Sequence, residues 1–196
     1  RDAAVRRTYS LSGPPAGDRY RISVKREPHG VASRHLHDGL ETGAIIDARK
    51  PAGEFLLPCS ECPVVLVSAG VGLTPMVSML HHVSDGDDDR PVWFVHGARD
   101  DAHHPLANEV RALADARADT HLHVAYSRPR PEDRDGADYD SAGRVDGALL
   151  ARLVGDHDAH YLLCGPTGFM AELQSDLEGR GVPPAQIHTE TFGPAG

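Results

Sequence analysis

The residues whose types and spacing point to chemistry form two glycine turns. Ser68-Ala69-Gly70-Val71-Gly72-Leu73-Thr74-Pro75 follows the apolar run Pro63 to Val67 and leads into a helix-like stretch. Glycines let a backbone turn tightly and approach a ligand closely, and a helix start offers unpaired N–H groups and partial positive charge to phosphate oxygens. The turn therefore reads as a pyrophosphate cradle, although Gly-x-Gly also serves as a plain strand-to-helix connector and the third Rossmann glycine is missing. Farther on, Tyr161-Leu162-Leu163-Cys164-Gly165-Pro166-Thr167-Gly168 repeats strand, turn and helix with a thiol at the strand end. In doubly wound sheets ligands lie at the carboxyl ends of parallel strands, so both turns are expected to line one crevice. A dinucleotide is the first ligand to consider.

Two further sets stand near the ends. Arg7-Thr8-Tyr9-Ser10 puts a guanidinium, an aromatic ring and a hydroxyl on one strand-like segment, with Arg7 and Tyr9 on one side. Glu190-Thr191-Phe192-Gly193-Pro194 places a carboxylate near a ring. Either set also suits an ordinary half-exposed segment. Cys59-Ser60-Glu61-Cys62 is open to two readings, a redox or metal pair and a pair of incidental linker cysteines. No second ligand pair and no HExxH spacing accompany it, so no metal is expected. His81-His82 and His103-His104 are read as solvated helix faces or caps.

These residues need elements to hold them. Residues 1–60 read as short β segments at Thr8 to Ser12, Arg19 to Arg26 and Ala44 to Arg49, with a helix over Ser33 to Leu40. From 61 the rhythm becomes strand and helix in alternation: Val64 to Ser68 with Pro75 to Val83, Val92 to Gly97 with Pro105 to Ala116, then His121 to Ser127, and Tyr161 to Cys164 with Thr167 to Arg180. That is the pattern of βαβ units on a parallel sheet. Arg128 to Gly143 is expected to be a loop, in part mobile, near the ligand edge, and Asp146 to cap a helix reaching Leu153. The domains are therefore placed at 1–60 and 61–196.

The 196 residues suit one ordinary domain or two small ones, and the net charge of −9 argues against nucleic-acid or anionic-membrane surfaces. No apolar run approaches the roughly 20 residues of a membrane-spanning helix, the start lacks a signal-peptide core, and three cysteines do not suggest a disulfide framework. A cytoplasmic location is the expectation.

In order, the motifs resemble the reductase module of flavohaemoglobins (nitric oxide dioxygenases), within the ferredoxin–NADP reductase superfamily. The resemblance rests on residues 7–10, Tyr20 to Glu27, Gly30 to Ser33 with Leu36-His37, Pro51 to Phe55, Ser68 to Pro75, Tyr161 to Met170 and Ile187 to Pro194. It implies a partial antiparallel FAD-binding β-barrel lacking its first strands, followed by a doubly wound NAD(P)-binding domain, with no globin domain. It further implies that Arg7 and Ser33 meet the FAD pyrophosphate, Tyr9 lies on the isoalloxazine and Ser10 reaches flavin N5. Gly70, Val71, Gly72, Leu73, Thr74 and Pro75 would hold NAD(P)H, and Cys164, Gly165 and Pro166 would guide the nicotinamide. Phe192, with Thr191, Gly193 and Pro194, would cover the flavin, and Glu190 would tune it or relay protons; Ser10, Cys164 and Glu190 are the catalytic candidates.

The implied activity is NAD(P)H-dependent reduction of FAD, with electrons passing to a haem globin. The alternatives are a nucleotide-binding module that no longer retains FAD, or a reductase for another acceptor. Arg99, Ser127 and Arg128 follow strand ends where a 2′-phosphate could be met, whereas Asp100 and Asp101 favour NADH.

Overall fold

The computed structural model describes residues 5–14, 17–59, 61–86 and 88–192. Its centre is the run Val64 to Val67, four branched or long apolar residues with no exposure at all. Such a run, apolar on both faces, belongs inside a parallel sheet covered on both sides. It forms β1 (Val64–Ala69), and β2 (Val92–Ala98), β3 (Thr120–Tyr126), β4 (Ser141–Ala142), β5 (His160–Cys164) and β6 (Ile187–Glu190) complete the sheet. The order is β4-β3-β2-β1-β5-β6 and every pairing is parallel.

Helices cover both faces. Val64 and Leu66 pack toward α2 (Leu73–Asp85) and α3 (Ala107–Asp115), while Val65 and Val67 pack toward α4 (Gly147–Val154) and α5 (Thr167–Gly179). This alternation of neighbours is the period of two that a strand imposes. Asp146 caps α4 by accepting the Leu149 N–H at 2.7 Å, as its position predicts. The chain leaves β1 toward β2 on one side and returns to β5 on the other, which opens a crevice at the carboxyl end of β1.

The N-terminal part, before the sheet begins, holds less regular structure than its alternation predicts. Among the described residues the three expected β segments reduce to a single antiparallel bridge, Leu11 with Ile22. A strand needs a partner as well as a pattern, and Ala44 to Arg49 has no ladder neighbour among those residues. The helix expected from Ser33 starts earlier, as one turn over Val31–Arg34 (α1) continuing into a wider turn over His35–Gly39. Polar contacts seat this segment on the sheet domain. The Ser78 hydroxyl donates to Gly13 O at 2.9 Å, and Arg21 donates to Glu109 at 2.6 Å, where His81 also bonds at 2.6 Å.

The loop from Arg128 to Gly143 is cross-linked along its length. Arg130 pairs with Asp133 at 3.1 Å and Arg134 with Asp138 at 2.8 Å, and the loop contributes β4 to the sheet edge.

Candidate functional site

Two clefts meet the first turn of α2. The larger, of about 830 Å³, opens over the carboxyl ends of β1, β2, β3 and β5. Gly70, Val71, Leu73 and Thr74 from the first turn line it beside Pro166 and Gly168 from the second, so the two turns do share one crevice. Gly70 has φ +55°, which glycine adopts without a Cβ penalty. A Cβ at position 72 would run into the carbonyl group of Cys164 and approach Gly165 N at 2.8 Å, so the turns touch backbone to backbone there. The 3-10 turn Gly70–Gly72 delivers the chain to the start of α2, where the Leu73 N–H closes onto Gly70 O. This concave, glycine-bordered helix start suits a diphosphate.

The opposite wall is the β2–α3 loop, with Arg99, His103, His104 and Leu106 on the cleft. Arg99 lies 3.4 Å from Asp100, and His103 lies 2.5 Å from the same carboxylate, holding Asp100 below the usual carboxylate range. The Asp100 carboxylate is thus already engaged by two neighbours. Lys25 reaches in from the N-terminal part, and Arg144 stands behind β4.

The second cleft, of about 670 Å³, brings together residues from opposite ends of the chain. Thr8, Tyr9 and Ser10 face it with Glu190, Thr191 and Phe192, and Pro75 of α2 closes one side. Tyr9 is 36% exposed and Phe192 41%, leaving two aromatic faces open within one hollow. Open aromatic faces beside a hydroxyl and a carboxylate suit a flat, polar-edged ring.

Other candidates stand apart from these clefts. Arg7 lies outside the second cleft and donates to Arg6 O at 2.6 Å. Ser33 is buried; its hydroxyl accepts the Glu27 N–H at 3.2 Å and donates to Gly30 O at 3.3 Å, so it stitches its own turn. The Cys164 side chain is fully buried in the core beside α2. Burial, then Glu190 across the β5–β6 pairing, pushes its thiol up to about 12. Gly72 and Gly165 form the seam between the turns, and Gly193 and Pro194 lie outside the described residues.

The reading of the histidine pairs as solvated holds for His82 and His103, which are exposed, and is corrected for His81 and His104. His81 is half-buried against Glu109, and His104 is buried, its Nδ1 3.0 Å from the Tyr126 hydroxyl. Beside it lies His96, fully buried and 2.9 Å from the Ser68 hydroxyl, with the two imidazoles stacked at 4.9 Å. Sequence reasoning missed this group because its members belong to different strands. It also missed Leu106, the single non-glycine residue with positive φ among those described, at +60°.

Residues 66–175 match the family model of the oxidoreductase NAD-binding domain. The flavohemoprotein of Bordetella pertussis is 44% identical over 195 residues, which cover 97% of this chain and 48% of that protein. The chain thus spans about half the length of the curated relatives it matches. The crystal structure of the flavohem-like FAD/NAD-binding domain of nitric oxide dioxygenase from Vibrio cholerae superposes with a TM-score of 0.82 at 34% identity, over 95% of this chain and 76% of that one. A flavohemoglobin from Malassezia yamatoensis, with bound FAD and heme, superposes with a TM-score of 0.80 at 27% identity, over 95% of this chain and 47% of that one.

Proposed function

The chain belongs to the oxidoreductase NAD-binding family, in the form found in the FAD/NAD-binding reductase domains of flavohemoproteins, and from that membership we propose that it works as an NAD(P)H:flavin oxidoreductase. The observation that carries the reading is the convergence of residues 8–10 and 190–192 on one hollow, next to the glycine cradle. Residues 1–60 are the flavin half in this reading and residues 61–196 the nucleotide half.

Bound FAD would supply acceptance of hydride from nicotinamide and release of electrons singly to an acceptor. This chain's part is to bind and align. Gly70 to Thr74 and the start of α2 receive the NAD(P)H diphosphate, with Gly72 allowing the Cys164-Gly165-Pro166 turn to close against it. Tyr9 and Phe192 would hold the flavin ring between the open faces they turn to this hollow, with Phe192 as its cover. Ser10 and Glu190 line the same hollow, where the Ser10 hydroxyl would serve the flavin's hydride-accepting nitrogen and the Glu190 carboxylate would tune the flavin or relay protons. The buried, protonated Cys164 shapes the β5 turn and is not a nucleophile. Ser33, its own hydroxyl being engaged, would serve the FAD pyrophosphate through backbone amides near it, and the exposed Arg7 would supply the guanidinium for the same group.

The acceptor proposed is the haem of a globin domain or protein, as the names of the relatives suggest. NADH or NADPH is the hydride donor in this reading: Arg99 and Ser127 line the cleft, while Asp100 is held in its pairing with Arg99 and His103. No helix among the described residues is long and apolar enough to cross a membrane, and with three free cysteines we assign the chain to the cytoplasm.

The test is a visible spectrum of the purified chain after incubation with FAD and desalting, followed by anaerobic NADH. Retained colour that bleaches supports the reductase. Loss of flavin with NADH binding still measurable by calorimetry supports a nucleotide-binding module instead, and absence of both overturns the reading.

A further inference from the structure

We infer that the buried group Ser68, His96, His104 and Tyr126 is a positioning device that holds the two walls of the first cleft in register, with His104 as the residue through which it acts. This rests on the reading of that cleft as the NAD(P)H site. Ser68, His96 and Tyr126 have no exposure and His104 has 7%, on three adjacent strands and the loop that follows the middle one. Elsewhere those strands bury Val, Leu and Phe, so a run of polar groups at their carboxyl ends is a local departure from the core's own pattern. Buried polar groups cost stability unless they are paired; each of these residues has one partner at hydrogen-bond distance, while His96 Nε2 is buried without one.

The pairs fall on the two walls. Ser68 shares a 2.9 Å hydrogen bond with His96 Nδ1 and stands two residues before Gly70, which begins the cradle. His104 lines the cleft in the opposite wall and shares a 3.0 Å hydrogen bond with the Tyr126 hydroxyl. The stacked imidazoles at 4.9 Å join one pair to the other. Two residues after His104, Leu106 holds its left-handed backbone on the same wall, a conformation that persists only where the surroundings enforce it. Burial keeps both imidazoles neutral and the phenol protonated, so the hydrogen bonds persist across the physiological range. Loosening the Tyr126–His104 link frees the loop, and the nucleotide must then order it on binding.

Calorimetric titration with NADH, on protein first shown folded by near-ultraviolet circular dichroism, tests the device. Tyr126→Phe removes one hydroxyl, and both it and His104→Ala are expected to weaken NADH binding about five- to tenfold. His104→Asn, whose side-chain amide falls near the Nδ1 position, is expected to restore most of the affinity. Tyr126→Phe with a lowered urea midpoint and unchanged NADH affinity overturns the inference, because the group then serves the fold alone. Equal weakening in His104→Asn and His104→Ala also overturns it. If His104→Ala does not fold, Tyr126→Phe decides. Wild-type protein that binds no NADH overturns the reading of the cleft, and is told apart because it precedes any variant.

Discussion

A single methyl group at position 72 would meet the Cys164 carbonyl, so Gly72→Ala tests the contact between the two turns. Overpacking against backbone typically costs about 1–3 kcal/mol. The expected outcome is a lower urea midpoint together with loss of NADH binding, and a variant that keeps both would separate the turns from the site. Ser10 answers to a different readout. Ser10→Ala is expected to slow flavin reduction in stopped flow by roughly 10- to 100-fold while leaving NADH affinity unchanged, the scale of one hydrogen bond to a charged centre; equal rates would remove Ser10 from the mechanism. The glycines were readable because their role is a backbone property of the residue itself. Leu106 was not, since a left-handed leucine is set by packing around it and leaves no mark in composition. Ser33 was readable as a helix-start residue, but its hydroxyl partners, Gly30 and Glu27, become visible only once the turn is closed.

Among the elements, the contact of Glu109 with Arg21 and His81 joins α3 and α2 to the N-terminal part. The pairing with Arg21 and His81 outweighs burial and holds the Glu109 carboxyl below its ordinary range, so it stays charged well into acid. Glu109→Ala is expected to cost about 1 kcal/mol and to raise amide exchange or proteolysis in residues 5–27 with little change in the sheet. Uniform protection across both regions would show that the clasp does not hold the segment. The βαβ rhythm of the second part was legible because parallel strands buried on both faces read as short apolar runs. β4 was not, because two residues carry no period, and β6 was hidden because Ile187 to Glu190 mixes apolar and polar side chains at a sheet edge. Ahead of the sheet, alternation was present without ladder partners, so pattern alone overstated the strands.

Across the whole molecule, two buried imidazoles tie stability to pH. Burial first, then His104, lowers His96 to about 3; burial first, then Arg111 against the opposing Asp101, lowers His104 to about 4. The unfolded chain takes up protons near the ordinary value of 6.5 that the folded chain refuses. Their contribution is therefore complete above about pH 6.5 and is lost as pH falls toward 4, at up to about 1.4 kcal/mol per pH unit for each histidine. Urea midpoints at pH 7, 6, 5 and 4.5 are expected to fall in order, and a flat series would mean the imidazoles protonate in the folded state. The topology has a temporal consequence as well. β1 can pair with β2 soon after both are made, but Val64 meets His160 on its other side only after the whole stretch between β2 and β5 has been synthesised. At about 5–20 residues per second, one edge of the most apolar strand stays open on the ribosome for roughly 5–20 s. Nascent chains halted before β5 are thus the species most exposed to aggregation, and the site at the end of β1 is among the last parts of the protein to exist.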